Sequence, residues 1–427
     1  MPDKTPRSGE ASKSGSFQDK LDPEKKGPKK LLALDGGGIR GLMSLEFLRR
    51  IEALVREKSG DDRLVLADYF DYIAGTSTGG IIATCLALGM TVDEVGAFYR
   101  EHGRAMFEKS SWLRRFRYSY EADNLKKLLQ DVIAKQTGEP EAKFGTEKLR
   151  TLLMIVLRNA TTDSPWPLSN NPAAMFNDQA RPDSNLKIPL WQIVRASTAA
   201  PTYFPPEVIK VGGHEFIFVD GGVTMYNNPA LQLFMMATVD AYNLGWPAGR
   251  DAMLLVSVGT GAAAAANKNL KPDELNLLYN ASSIPSALMS AASAQQDFLC
   301  RVLGYCRHGA EIDMELGPLT PVEAKAAAAE KPADGARSRI GQIDVATEGG
   351  SPAGLNRLFT YVRYNVDLSQ TNVDELAKGI VGLGDRKIKA EDVQALDGVD
   401  HMGDMSAIAA VAARRDVKPE HFDGFLG

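Results

Sequence analysis

Leu31-Leu32-Ala33-Leu34-Asp35-Gly36-Gly37-Gly38-Ile39-Arg40-Gly41 is the stretch on which the fold turns. Its first four residues form a short apolar run of the kind buried in a central strand, closed by Asp35 and the glycines. From Leu42 the period changes: Leu45, Leu48, Ile51, Leu54 and Val55 recur at helical spacing, and Gly60 suits the left-handed position that ends a helix. A second unit follows. Residues 68–74 read as a strand, Gly75-Thr76-Ser77-Thr78-Gly79 as a turn, and 80–88 as an apolar helix. This β-α-β-α order predicts an α/β chain whose mainly parallel sheet is covered by helices on both faces, a three-layer α/β/α arrangement.

The pattern continues outward. Residues 92–107 and 125–133 read as helices, 152–157 as a central strand, and 208–211 with 215–219 as a hairpin about Gly212-Gly213. Residues 253–258 form a further buried strand ending in Gly259-Thr260-Gly261, and 359–366 return to strand character. No internal repeat or sharp linker divides 31–427, which reads as one domain with a helical extension over 370–427. Residues 1–30 contain little to bury beyond Phe17 and Leu21 and read as a disordered tail. Lys25, Lys26, Lys29 and Lys30 there form a solvated basic linker or a contact for anionic lipid. The Ala/Lys/Glu/Pro-rich stretch 318–340 reads as a mobile surface insertion.

Composition excludes several classes. Among 427 residues, 49 Lys and Arg stand against 54 Asp and Glu, a net charge of −5 without the basic footprint of a nucleic-acid binder. Cys85, Cys300 and Cys306 form neither a disulfide framework nor a zinc-ligand pattern, so a reducing, cytoplasmic setting fits. The N-terminus lacks the apolar core of a secretory signal. The most apolar stretch, 74–90, is interrupted by Thr76, Ser77, Thr78 and Thr84, so any meeting with a membrane is peripheral.

Two glycine-rich turns carry the chemistry. Gly75-Thr76-Ser77-Thr78-Gly79 is G-x-S-x-G between strand and helix, where a serine nucleophile is lifted clear of the sheet; the plainer reading is a serine capping a helix. Gly36, Gly38 and Gly41 also spell G-x-G-x-x-G. As a nucleotide site this loop would need an acidic residue at the end of the second strand, and Gly75-Thr76-Ser77 offers none. As an oxyanion hole, the Gly37 and Gly38 amides and the helix dipole would stabilise charge on a carbonyl oxygen. Arg40 then supports the loop, adds positive charge or faces solvent. A serine also needs a base. His102, His214, His308, His401 and His421 show no sequence link to the turn, whereas Asp220 ends an apolar strand before Gly221-Gly222, where partial burial raises its basicity; the plainer reading is a turn aspartate.

These residues together resemble the patatin-like phospholipases, or lipid acyl hydrolases. The resemblance rests on Asp35 to Gly41, Gly75 to Gly79, Ala196-Ser197-Thr198-Ala199-Ala200-Pro201-Thr202-Tyr203-Phe204, and Asp220-Gly221-Gly222 followed by Asn227-Asn228-Pro229, all in family order. It covers about residues 31–366. It implies a patatin-type α/β/α fold, Ser77 as nucleophile, Asp220 as base of a Ser-Asp dyad, an oxyanion hole at Gly36, Gly37, Gly38 and Arg40, and a nucleophile elbow of Gly75, Thr76, Thr78 and Gly79. The expected activity is hydrolysis of fatty-acyl esters in membrane or micellar phospholipid through an acyl-serine, without cofactor. The rivals are an acyltransferase or thioesterase using the same acyl-serine and, more remotely, a nucleotide-binding module at Gly36 to Gly41. Residues 111–120 interleave aromatics with arginines as an interfacial surface or a packed segment, 165–168 read as a rigid loop or a lip of the substrate cleft, and Cys85 as a core residue.

Overall fold

All four residues of the Leu31-Leu32-Ala33-Leu34 run are completely buried, and they lie near the middle of a sheet. The structure is a computed structural model that describes residues 17–21, 27–107, 118–201, 204–262, 277–309 and 356–426. In chain order the elements are α1 (Phe17–Leu21), β1 (Lys29–Leu34), α2 (Gly41–Ser59), α3 (Leu66–Tyr69), β2 (Tyr72–Thr76), α4 (Thr78–Ala87), α5 (Val92–Phe107), α6 (Tyr118–Thr137), β3 (Leu152–Asn159), β4 (Ser164–Ser169), α7 (Leu190–Ser197), β5 (Glu207–Val211), β6 (His214–Asp220), α8 (Ala230–Thr238), β7 (Met253–Val258), α9 (Leu277–Leu303), β8 (Tyr305–His308) and β9 (Thr360–Tyr364). Helices Gln370–Ala377, Ala390–Gln394 and Met402–Asp416 follow.

Among the described residues the strands form one sheet in the order β5-β6-β3-β2-β1-β7-β9-β8, with β4 paired to β3. The run from β3 to β8 is parallel, while β4, β6 and β5 join antiparallel. Alternation along the strands divides the core in two. Leu32, Leu34, Ile73, Leu153, Ile155 and Val256 face one apolar cluster, shared with α2, α4, α5, α7 and the C-terminal helices. Leu31, Ala33, Tyr72, Met154, Val156 and Leu255 face another, shared with α8. Covered faces on both sides explain why the strands read as continuous apolar runs, and the expected three layers are present.

Three expectations change. The strand expected over 68–74 begins at Tyr72, because Asp68 accepts the Val65 amide (3.2 Å) and closes the turn of α3, which sends Tyr69 and Phe70 into the core. The expected tail 1–30 is structured in part: β1 starts at Lys29, and Phe17 and Leu21 of α1 pack on the α8-side core. Lys20 there is buried, its ammonium donating to the Ala67 carbonyl and to that of Phe70 (2.9 Å). A count of apolar residues overlooks lysines whose stems are buried. Residues 165–168 belong to β4, whose prolines are tolerated because β3 is its only strand partner among the described residues; Trp166 packs 5.2 Å from the rings of Phe216 and Phe218. The helical extension over 370–427 packs into the domain: Val373, Ile408, Ala409, Ala412 and Phe422 are fully buried in the larger cluster. Residues 1–16 and 22–26, the insertion at 318–340 and most of 111–120 lie outside the described residues.

Candidate active site

The parallel register pairs Leu34 of β1 with Gly75 of β2, so the loops leaving the two strands emerge side by side, with Gly36 level with Ser77. Ser77 lies at φ 54°, ψ −123°, a backbone conformation that is strained for a residue with a side chain and costs on the order of 1–3 kcal/mol. The neighbourhood holds it there. The Ser77 amide donates to Ser197 Oγ (2.9 Å) at the end of α7, and Ser197 Oγ donates to the Val156 carbonyl (2.7 Å). A Cβ on Gly79 would meet the carbonyl oxygens of Leu34 and Asp35, so only glycine lets the start of α4 lie this close to β1. The outcome is a tight turn that carries the serine hydroxyl off the sheet.

Strand β3 brings the aspartate to it. β4 occupies one edge of β3 over 154–159, leaving the other edge to β2 and, beyond the end of β2, to β6. Thr76 pairs with Val156 and Asp220 pairs with Leu157, consecutive residues of β3. Ser77 Oγ therefore donates to Asp220 Oδ2 at 2.7 Å, while Asp220 Oδ1 accepts the Gly222 amide at 2.6 Å. Both side chains are buried. Burial pushes the Asp220 carboxyl up to about 6, against the opposing pull of the Ser77 and Gly222 hydrogen bonds and the Arg195 charge. Arg195, itself 1% exposed, donates to the Pro205 carbonyl (3.2 Å) and stacks over Phe204. The hydrogen-bond partner of Ser77 Oγ is Asp220 and none of the five histidines.

The first glycine loop is held from three sides. Asp35 makes a buried two-pronged ion pair with Arg363 of β9 (2.9 and 2.6 Å), and Arg363 also reaches Ser257 Oγ (2.7 Å). Burial disfavours the Arg363 charge, but the Asp35 carboxylate outweighs it and holds the guanidinium above its ordinary range. Thr260 Oγ1 donates to the Gly36 carbonyl (3.0 Å), the Gly36 amide donates to the Asn227 carbonyl (3.1 Å), and the Ile39 amide donates to the Leu396 carbonyl (2.9 Å). Gly38 takes φ 59° against that same carbonyl, where a side chain would collide. The amides of Gly37 and Gly38 have no partner among the described residues. Of the four residues expected to line an oxyanion hole, these two keep free backbone donors among the described residues. The Gly36 amide is spent on the Asn227 carbonyl, while Arg40 sends Nη1 to the Gln394 carbonyl (3.3 Å) and has its buried Nε without a partner among the described residues.

Met225, five residues after Asp220, and Leu288 of α9 are 53% and 63% exposed, and Met289, the next residue of α9, lies against Gly222. Ser197, Asn227 and Thr260 stand in quoted motifs without an assigned role. Arg363 carried a readable signal, since a charge inside a strand buried on both faces must find a partner. Cys85 is buried in the core as expected.

Residues 32–234 match the family described as patatin-like phospholipase, and over that stretch the chain carries a patatin-like phospholipase domain with the patatin fold. An intracellular phospholipase A2 of Caenorhabditis elegans is 34% identical over 266 residues, 59% of this chain and 21% of that protein. A cGAMP-activated phospholipase of Vibrio cholerae is 35% identical over 210 residues, 47% of this chain and 55% of that protein. Patatin-17 of Solanum cardiophyllum is 29% identical over 262 residues, 57% of this chain and 63% of that protein. The chain thus spans less than two thirds of the length of each relative. Among the described residues no helix is long and apolar enough to cross a membrane.

Proposed function

We propose that this protein is a serine carboxylic-ester hydrolase of the phospholipase A type, releasing fatty acids from phospholipid through Ser77 and Asp220. The observation that carries the reading is the 2.7 Å hydrogen bond from Ser77 Oγ to Asp220 Oδ2, made on a strained turn beside two unpartnered glycine amides. Asp220 takes the Ser77 proton as Oγ attacks the ester carbonyl. The oxygen that becomes negative is received by the Gly37 and Gly38 amides, and the proton passes to the departing lysolipid alcohol. Water then attacks the acyl-serine, gives its proton to Asp220, and the fatty acid leaves as Ser77 recovers a proton. A carboxyl near 6 is ionised at neutral pH yet more basic than an ordinary aspartate, which suits both steps.

The phospholipase names of the relatives support a lipid ester as substrate. The exposed Met225, five residues after Asp220 in the chain, and Leu288, next to Met289 on α9, support acyl-chain contact and a peripheral encounter with membrane or micelle, on the cytoplasmic side. A fluorophosphonate probe tests the assignment of the nucleophile. The expected result is one labelled peptide, containing Ser77, with labelling lost in Ser77→Ala; a label mapping elsewhere, or none, refutes it.

A further inference from the structure

Deacylation needs a water, and the structure contains an unused group suited to holding it. Asn227, 5% exposed, lies between the turn after β6 and α8. Its carbonyl accepts the Gly36 amide, and its Nδ2 donates to Ser293 Oγ of α9 at 2.9 Å. Its Oδ1 is buried without a hydrogen-bond partner among the described residues. An acceptor buried unpaired is costly enough to call for an explanation.

The surroundings of this oxygen can be read from the glycines beside it. A Cβ on Gly222 would sit 2.9 Å from Asn227 Oδ1, 3.0 Å from Asp220 Oδ1 and 3.1 Å from Met289 Cε. A Cβ on Gly36 would press on the same Asn227 oxygen and lie 3.3 Å from Ser77 Cβ. Asn227 Oδ1 thus packs on Gly222 together with Asp220 Oδ1, and on Gly36 together with Ser77 Cβ. With only a hydrogen in place of a side chain, Gly222 lets these two acceptors and the Met289 methyl close in on it, which sets the Asn227 and Asp220 oxygens on the same side of that glycine.

We propose that Asn227 is the water-positioning residue of deacylation. Its Oδ1 accepts one hydrogen of the attacking water while the other hydrogen points at Asp220, which leaves a water lone pair directed at the acyl carbon on Ser77 Oγ. The inference rests on the Ser77–Asp220 reading above. In the step itself the water oxygen bonds to the acyl carbon, one proton passes to Asp220, the Ser77 Oγ–carbon bond breaks, and that proton returns to Ser77 Oγ. The product is the free carboxylic acid. This arrangement favours water over an alcohol, since methanol has a single O–H, which Asp220 takes, and gains nothing from a second acceptor. Asn227 therefore bears on whether the acyl-serine is hydrolysed or transferred.

The test uses the full chain with p-nitrophenyl butanoate, in water and with added methanol, in the wild type, Asn227→Leu, which keeps the shape without the acceptor, and Ser293→Ala, which loosens the amide from outside the site. Asn227→Leu is expected to keep fluorophosphonate labelling and a rapid first release of p-nitrophenol. Turnover should slow about 10- to 100-fold, the scale expected for a misplaced reactant, with butanoyl-Ser77 accumulating in the intact-protein mass spectrum. The ratio of methyl ester to acid should rise, and Ser293→Ala should show the same changes more weakly. Unchanged turnover and product ratio in both variants overturn the proposal. So does loss of labelling in a folded Asn227→Leu, because the amide would then serve acylation; if that variant does not fold, Ser293→Ala decides. A wild type that neither labels nor shows the rapid first release defeats the Ser77–Asp220 reading itself, a different failure.

Discussion

Replacing Asp220 by Asn should abolish activity and at the same time stabilise the protein. Burial raises the Asp220 carboxyl from 3.8 to about 6. At 1.36 kcal/mol per tenfold change in proton affinity, that difference is worth about 3 kcal/mol between the protonated and ionised forms. The sign follows from proton counting. Between pH 4 and 6 the folded state retains a proton that the unfolded chain has lost, so this group's contribution to stability declines as pH rises through that window. Above about 6 the whole penalty is in place. Asparagine carries no such charge, and its amide can still accept from the Gly222 N–H and can donate to Ser77 Oγ, so both contacts survive with one polarity reversed. Urea unfolding at pH 8 should show Asp220→Asn more stable than wild type by up to about 3 kcal/mol, with the advantage shrinking toward zero near pH 4. A variant that is less stable at pH 8, or whose advantage does not depend on pH, refutes the reasoning.

Other outcomes follow from the same contacts. The wild-type kcat/KM for an uncharged ester should fall as pH drops below about 6, because protonated Asp220 cannot accept the serine proton; a flat profile from pH 8 to 5 would exclude this base. Gly79→Ala drives a methyl into the Leu34 and Asp35 carbonyls and should cost about 1–3 kcal/mol in urea unfolding while also depressing ester turnover. Ser197→Ala removes the acceptor for the Ser77 amide and should lose about 1–3 kcal/mol of stability, with turnover falling because the turn relaxes; both are read from one preparation. Arg363→Met strands a buried Asp35 carboxylate and should cost about 3–5 kcal/mol, part of it recovered in Arg363→Met with Asp35→Asn, as thermal and urea melts of the two variants would record.

The central sheet was legible because its strands are buried on both faces and read as unbroken apolar runs, and helix α2 because its period and Gly60 bracket it. The Ser77 turn was legible for a local reason, since the glycines at 75 and 79 announce a strand and helix crowded together. Other parts depend on contacts distant in sequence. Tyr69 and Phe70 have strand-forming side chains, yet Asp68 caps a helical turn there, a choice settled by local hydrogen bonding over propensity. Nothing in the order of residues says that β6 will continue along the edge of β3 where β2 stops, and that register places Asp220 on Ser77. The role of the C-terminal segment was equally hidden: the Leu396 carbonyl that fixes the Ile39 amide is a backbone group, with no side-chain signature. The same holds for Gly36, whose amide is consumed by the carbonyl of Asn227.

The most direct test of the central claim is the rate of fatty-acid release from phosphatidylcholine vesicles by the wild type, Ser77→Ala and Asp220→Asn at pH 8. The wild type should release fatty acid, and each variant should lose about a thousandfold or more, the scale of removing a nucleophile or its base. Release by either variant at a rate near that of the wild type would contradict the account.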